Sequence, residues 1–197
     1  MSEQLPKPEW GNLQGHLKTI TRHKIEVGKL CFKVGLYRQG LCHDLSKYSP
    51  TELITGARYY QGTRSPNTAE REDRGFSEAW LHHQGRNRHH FEYWIDPLCE
   101  DTGQVIKPAP MPMRYVVEMF CDRVAACKVY QGDAYTCASP LAYYERNRDK
   151  IIIHPDSRAV LEGLLEYFAE QGEDVTMQVI RDFIVRPRWT FGVRGRW

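Results

Sequence analysis

With 197 residues, the chain is long enough to form one domain, 1–197, around a sizeable hydrophobic core. A formal net charge of +2 makes no global electrostatic case for nucleic acid, and no run approaches the roughly 20 apolar residues of a membrane span. Six cysteines without a CxxC pair, and no visible signal peptide, predict reduced thiols and a cytoplasmic protein, which leaves the eight histidines as the feature to follow.

The first predicted element is a helix from Asn12, as N-cap, to Gly35, as the residue past its C-terminus. Its stripe of Leu13, Leu17, Ile20, Val27, Leu30 and Val34 has helical spacing. "LYRQGLCHDLSKY" reads as a second, short helix, and Ser49-Pro50 opens a third, "PTELITGARYY", with proline at N1. "RSPNTAEREDRG" is polar and turn-rich, and reads as a loop into a helix around "FSEAWLHHQ". Gly85 and Asn87 interrupt that helix before "RHHFEYW" resumes it. The turn signal Asp101-Thr102-Gly103 inside "IDPLCEDTGQVIKPAPMP" predicts a small hairpin. Arg114 to Gln131 forms a strong helix, followed by helical segments at Leu141–Lys150, Asp156–Gln171 and Val175–Val185. The class is mainly α, with a possible β-hairpin between helices.

Several polar residues sit where apolar ones belong. His16 and His23 fall on the seam of the first helix, in register with Ile20, Val27 and Leu30. His23 is either a hydrogen-bonded core histidine or a ligand, and His16 is a supporting or surface group. Asp122 shares a stripe with Tyr115, Met119, Ala126 and Val129. A buried carboxylate needs a partner, and either Arg123, Arg58 or a metal would serve. Glu118, one turn earlier, is placed to hydrogen-bond a neighbouring ligand. In "WLHHQGRNRHHFEYW", four histidines occur within nine residues. His83 shares the inward face with Phe76, Ala79 and Trp80, with His82 at its flank. His90 aligns with Tyr93 and Trp94, and His89 is offset by about 100°. Neutral imidazole is the commonest metal ligand, and Arg86, Asn87 and Arg88 between the pairs would sit beside a bound anion.

In order, these residues read His23, His43-Asp44, His82/His83, His89/His90, Asp122. That order resembles the H…HD…H…H…D arrangement of the HD-domain superfamily, largely metal-dependent phosphohydrolases built from helices. "HDLSKY" resembles the HDxxK variant, with Lys47 three residues after Asp44. "HDLSKYSPTE", "AWLHHQGRNRHHFEYW" and "MPMRYVVEMFCDR" together resemble an uncharacterised family of bacteria and their phages. The resemblance implies an HD-like helical bundle over 12–132, with 133–197 as a helical extension and basic aromatic tail. It implies His23, His43, Asp44 and Asp122 as metal ligands, and one histidine from each later pair, His83 and His90, as further ligands. His82, His89 and Glu118 stand as supporting or alternative ligands. One or two ions, and which member of each HH pair binds, stay open.

Histidine with carboxylate suits Mn, Fe, Co, Ni or Zn better than Mg. Such a cation lowers the pKa of water and polarises a phosphoryl oxygen. Asp44 would bridge metals and orient the water, and Lys47 would reach a phosphate oxygen unless it is a solvated surface lysine. Arg86, Asn87 and Arg88 are looser phosphate contacts. The expected activity is hydrolysis of a nucleotide or another small phosphate ester, in the cytoplasm (the host's, if phage-encoded). The alternatives are an HD-type di-iron oxygenase and a metal-stabilised binding module without catalysis. The tail residues Arg186, Arg188, Trp189, Arg194, Arg196 and Trp197 interleave cations with rings, which suits nucleic acid or packing on the chain itself.

Overall fold

A computed structural model describes residues 7–100 and 103–185. The tail candidates Arg186, Arg188, Trp189, Arg194, Arg196 and Trp197, and Asp101-Thr102 of the hairpin turn, lie outside the described residues. The chain is mainly α. In order run α1 (Trp10–Lys33), α2 (Tyr37–Cys42), α3 (Pro50–Arg58), α4 (Pro66–Arg74), α5 (Glu78–Gln84), the strands β1 (Ile95–Glu100) and β2 (Gly103–Pro108), α6 (Met113–Gln131), α7 (Ser139–Glu145) and α8 (Pro155–Val179). The two strands pair antiparallel, Ile95 opposite Pro108. No helix among the described residues is long and apolar enough to cross a membrane.

Three expectations change in physical detail. The segment expected as a loop around "SPNTAEREDR" is the helix α4, started by Pro66 at N1 and stopped by Gly75 at φ +78°. It buries little besides Pro66, Ala69 and Glu70, so its hydrophobic pattern is faint. The helix expected across "LYRQGLCHDLSKY" ends at Cys42, and a 3₁₀ turn, Leu45–Tyr48, follows. "RHHFEYW" is not a resumed helix: Phe91–Trp94 is a 3₁₀ turn, and the two histidines before it lie outside it. Near the C-terminal end, Gly172 (φ 79°, ψ 177°) interrupts α8 close to where two separate helices were expected.

The core lies where α1, α6 and α8 meet. Val27, Leu30 and Cys31 of α1, with Val34 just past its end, join Val116, Val117, Phe120 and Val124 of α6 and Leu161, Leu165 and Phe168 of α8. Phe120 and Phe168 meet edge to face at 5.5 Å. Two of these helices, α1 and α6, also carry His16, His23 and Glu118 buried and Asp122 half-buried. α1 also packs against α2 and α3, which brings the His43–Asp44 corner and the α3 start to that polar stretch.

Candidate metal centre

The corner is made by ending α2 abruptly. His43 turns the backbone extended (φ −52°, ψ 128°), and Asp44 adopts the left-handed region (φ 53°, ψ 26°). Asp44 is the one non-glycine residue with positive φ among those described, a conformation that aspartate tolerates better than most residues but at some cost. Lys24 of α1 donates to the carbonyls of Leu41 (2.7 Å) and His43 (2.8 Å), satisfying acceptors left free by the helix end. The result aims two adjacent side chains inward, each only 2% exposed.

Around Asp44 the chain gathers five imidazoles. On one side, His43 Nε2 lies 3.4 Å and His23 Nε2 3.8 Å from Oδ2. On the other, His83 Nε2 lies 3.3 Å and His89 Nε2 3.4 Å from Oδ1. Asp122 Oδ1 stands 2.8 Å from His23 Nε2 and 3.5 Å from His43 Nε2. His90 Nε2 meets His83 Nε2 at 2.8 Å. Two ligand-type groups result, His23/His43/Asp44/Asp122 and Asp44/His83/His89/His90, each with donor atoms within 4.8 Å of one another and both sharing Asp44. His43, His89 and Glu118 make a third, overlapping group.

An outer set of carboxylates fixes the rings. Glu118 Oε1 faces His43 Nδ1 at 3.0 Å and His89 Nδ1 at 3.3 Å. Glu52, in the first turn of α3, faces His83 Nδ1 at 2.8 Å and His82 Nδ1 at 2.7 Å. Burial opposes both charges, yet the imidazoles hold Glu118 and Glu52 below the usual glutamate range. An ionised carboxylate only accepts, so each Nδ1 carries a proton, and Nε2 of His43, His83 and His89 is the ring atom that faces Asp44. Asn87 closes the arrangement, donating to Ser46 Oγ (2.7 Å) and to the His83 carbonyl (2.8 Å).

Charge in the cluster is unbalanced. Burial opposes protonation of His43, but Asp44, Asp122 and Glu118 push its pKa up to about 10. Burial likewise opposes the charge on His83, and Asp44 with Glu52 raises its pKa regardless. Burial drives His23 and His90 the other way, towards the neutral ring. Asp44 and Asp122 are held well below the usual carboxylate range despite burial, by His43 and Lys47 in one case and by His23 and His43 in the other. Meanwhile Nε2 of His23, His43 and His89 and both Asp44 oxygens are buried without a hydrogen bond of acceptable geometry. Converging Nε2 atoms, clustered buried carboxylates and imidazoles pushed towards the cation all fit a divalent transition metal, which would supply that positive charge itself.

Beside the cluster opens a cleft of about 530 Å³, lined among others by His16, His23, Lys47, Tyr60, His90 and Asp122. Lys47 Nζ lies 2.7 Å from Asp44 Oδ2, and its side chain is 27% exposed, so the ammonium joins cluster to cleft. Asp44 and Asp122 raise its pKa against burial, keeping it cationic.

Residues 12–167 match the model of DUF5662, described as a family of unknown function. The chain belongs to this family. No curated protein and no solved structure matches it. Every residue of the cluster and of its carboxylate shell lies inside the span that defines a DUF5662 member.

Of the residues expected at the site, His23, His43, Asp44, His83, His90 and Asp122 converge as described, with Lys47 beside them. His89 differs from its expected offset position. Residues 86–90 form a turn, so helical phase does not apply, and His89 is buried against Asp44. Asp122 is met by His23 and His43, not by Arg123 or Arg58. Arg86 and Arg88 do not line the cleft: both are exposed, Arg86 on the His82 carbonyl and Arg88 over the Tyr93 ring. Asn87 is buried and tied to Ser46 and the His83 carbonyl, and it does not line the cleft. His16 is buried and not a surface group. Glu52 was missed by sequence reasoning; its signal is an acid one turn after the HDLSK corner, at the start of a proline-opened helix.

Proposed function

We propose that this DUF5662 chain is a metal-dependent phosphohydrolase of the HD type, acting on a nucleotide or another small phosphate ester. The observation that carries the proposal is Asp44: a buried carboxylate in a left-handed corner, each oxygen facing its own set of imidazoles, with the Lys47 ammonium against Oδ2. His23, His43, Asp44 and Asp122 would hold one cation, and Asp44, His83, His89 and His90 a second. Bound there, a transition metal supplies Lewis acidity and an activated water near neutral pH.

The chain's own residues do the rest. Glu118 and Glu52 hold three imidazoles by Nδ1 and keep Nε2 directed at the cluster. Lys47 offers a cation to a phosphoryl oxygen, where negative charge builds as the P–O bond to the alcohol breaks and the water oxygen joins phosphorus. The cleft, about 530 Å³, matches a small metabolite. Asp122, whose side chain is 19% exposed, forms the cluster's open edge.

Five imidazoles around one carboxylate also favour a second possibility, a di-iron oxygenase on the same scaffold. Metal analysis of purified protein, with a phosphate-ester screen of wild type and Asp44→Ala, separates the two. The expected result is bound transition metal and phosphate release in wild type, with both lost in Asp44→Ala. Metal retained by the variant would remove the site. Iron with O₂ consumption and no phosphate release would select the oxygenase, and bound metal with neither reaction would leave a binding module.

A further inference from the structure

His16 is buried, 7% exposed, yet it lines the cleft together with Lys47, His23 and Asp122. Its Nδ1 has no hydrogen-bond partner, and a buried polar atom left unpaired costs stability unless something meets it. The ring is held by shape. It lies against the bare face of Gly56 on α3, where a Cβ would come within 2.1 Å of Nε2. Reciprocally, the Tyr60 ring lies against Gly15 of α1, where a Cβ would come within 2.4 Å of Cε1. Tyr60 is tied to Thr19 (3.1 Å) and meets His16 edge-on at 6.0 Å. Two rings interlocked into two glycine gaps fix the imidazole without spending all its hydrogen-bonding capacity.

The position along α1 gives it a purpose. His16 precedes His23 by two turns, roughly 10 Å along the helix axis. That separation suits an anchor for the part of a substrate beyond its phosphate. Burial, then the Lys47 charge, hold the His16 pKa down at about 4, so the neutral ring offers one N–H and one lone pair.

We infer that His16 is a specificity residue, hydrogen-bonding a hydroxyl or amide on the alcohol portion of the ester whose phosphate sits at the Asp44 cluster. This rests on the phosphohydrolase proposal for where the phosphate lies. The preferred substrates are therefore esters whose alcohol reaches several atoms from phosphorus and carries a polar group. Inorganic phosphate, phenyl phosphate and other esters with an apolar alcohol lack the contact.

The test compares metal-loaded wild type with His16→Phe, which keeps a packed ring and removes both nitrogens. Calorimetric titration measures binding of inorganic phosphate, phenyl phosphate and ribose 5-phosphate, and phosphate release is followed in parallel. The preference for ribose 5-phosphate over the other two is expected to fall about tenfold or more, the size of one well-made hydrogen bond. Gly56→Ala, which displaces the imidazole without touching its chemistry, is expected to lower the same ratio, and His16→Gln to restore part of it. An unchanged ratio in both His16→Phe and Gly56→Ala, or a wild type without the preference, overturns the inference. A His16-dependent preference in binding with no phosphate release from any ester supports the inference and overturns the hydrolase. Phosphate release with no His16-dependent preference does the reverse.

Discussion

Glu118 reaches two imidazoles from a single helix position, both through Oε1 and at 3.0 and 3.3 Å. Its charge makes each Nδ1 a donor and so orients His43 Nε2 and His89 Nε2 towards Asp44. Glutamine at this position keeps an oxygen acceptor and loses the charge, which isolates the electrostatic part of the contact. Cation affinity of Glu118→Gln is expected to drop about 10–100-fold, the usual cost of altering such an outer partner. Competition titration against a chromophoric chelator measures it. Affinity equal to wild type would mean that the rings hold their orientation without the carboxylate. Asp44 differs in kind, because it combines backbone and charge: its left-handed φ of 53° sets the corner, and its two oxygens divide the imidazoles.

At the scale of elements, the site depends on how closely α2 lies on α1. Gly40 makes that approach possible: a Cβ there would stand 2.8 Å from Phe32 Cε1 and 3.1 Å from Cys31 Cβ. Gly40→Ala is therefore expected to cost about 1–2 kcal/mol, overpacking offset in part by better helix propensity, and to weaken cation binding by shifting His43. Gly163 of α8 is the control: it is exposed with open space around it, so Gly163→Ala is expected to gain about 0.5–1 kcal/mol. Urea unfolding of the two variants measures both signs, and a stabilised Gly40→Ala would refute the close-packing account. These elements were unequally legible. The α1 stripe was readable because Ile20, Val27 and Leu30 repeat at helical spacing and are buried as that spacing requires. The polar exceptions on it, His16 and His23, were visible for the same reason. The corner at Asp44 was not, since its left-handed turn is supported by Lys24 from another helix, a contact that no local pattern announces. His89 was misplaced because helical phase was carried across a turn. Glu52 was overlooked because an acid in a first turn is also what the helix dipole favours.

At the scale of the molecule, α1 and α6 have two tasks, and their apolar stretches serve one and their polar stretches the other. Val27, Leu30, Val117 and Phe120 join the α8 core, whereas His23, Glu118 and Asp122 join the cluster. The ligands come from α1, the end of α2, α5, the turn after it and α6. No unfolded chain can present them together, so cation binding is coupled to folding. At a free cation concentration of about 100 times Kd, that linkage is worth about 2.7 kcal/mol. For a chain of this size roughly 2–4 °C of Tm accompany each kcal/mol, so loading is expected to raise Tm by roughly 5–10 °C over chelator-treated protein. Scanning calorimetry with and without added Mn or Zn measures the shift. Asp44→Ala removes the carboxylate that both ligand groups share and is expected to flatten it, whereas His16→Phe lies outside those groups and is expected to keep it. Equal Tm for loaded and stripped wild type would mean that the five imidazoles pack without a cation, and that Lys47 and the imidazoles alone compensate the buried Asp44 carboxylate in its left-handed corner.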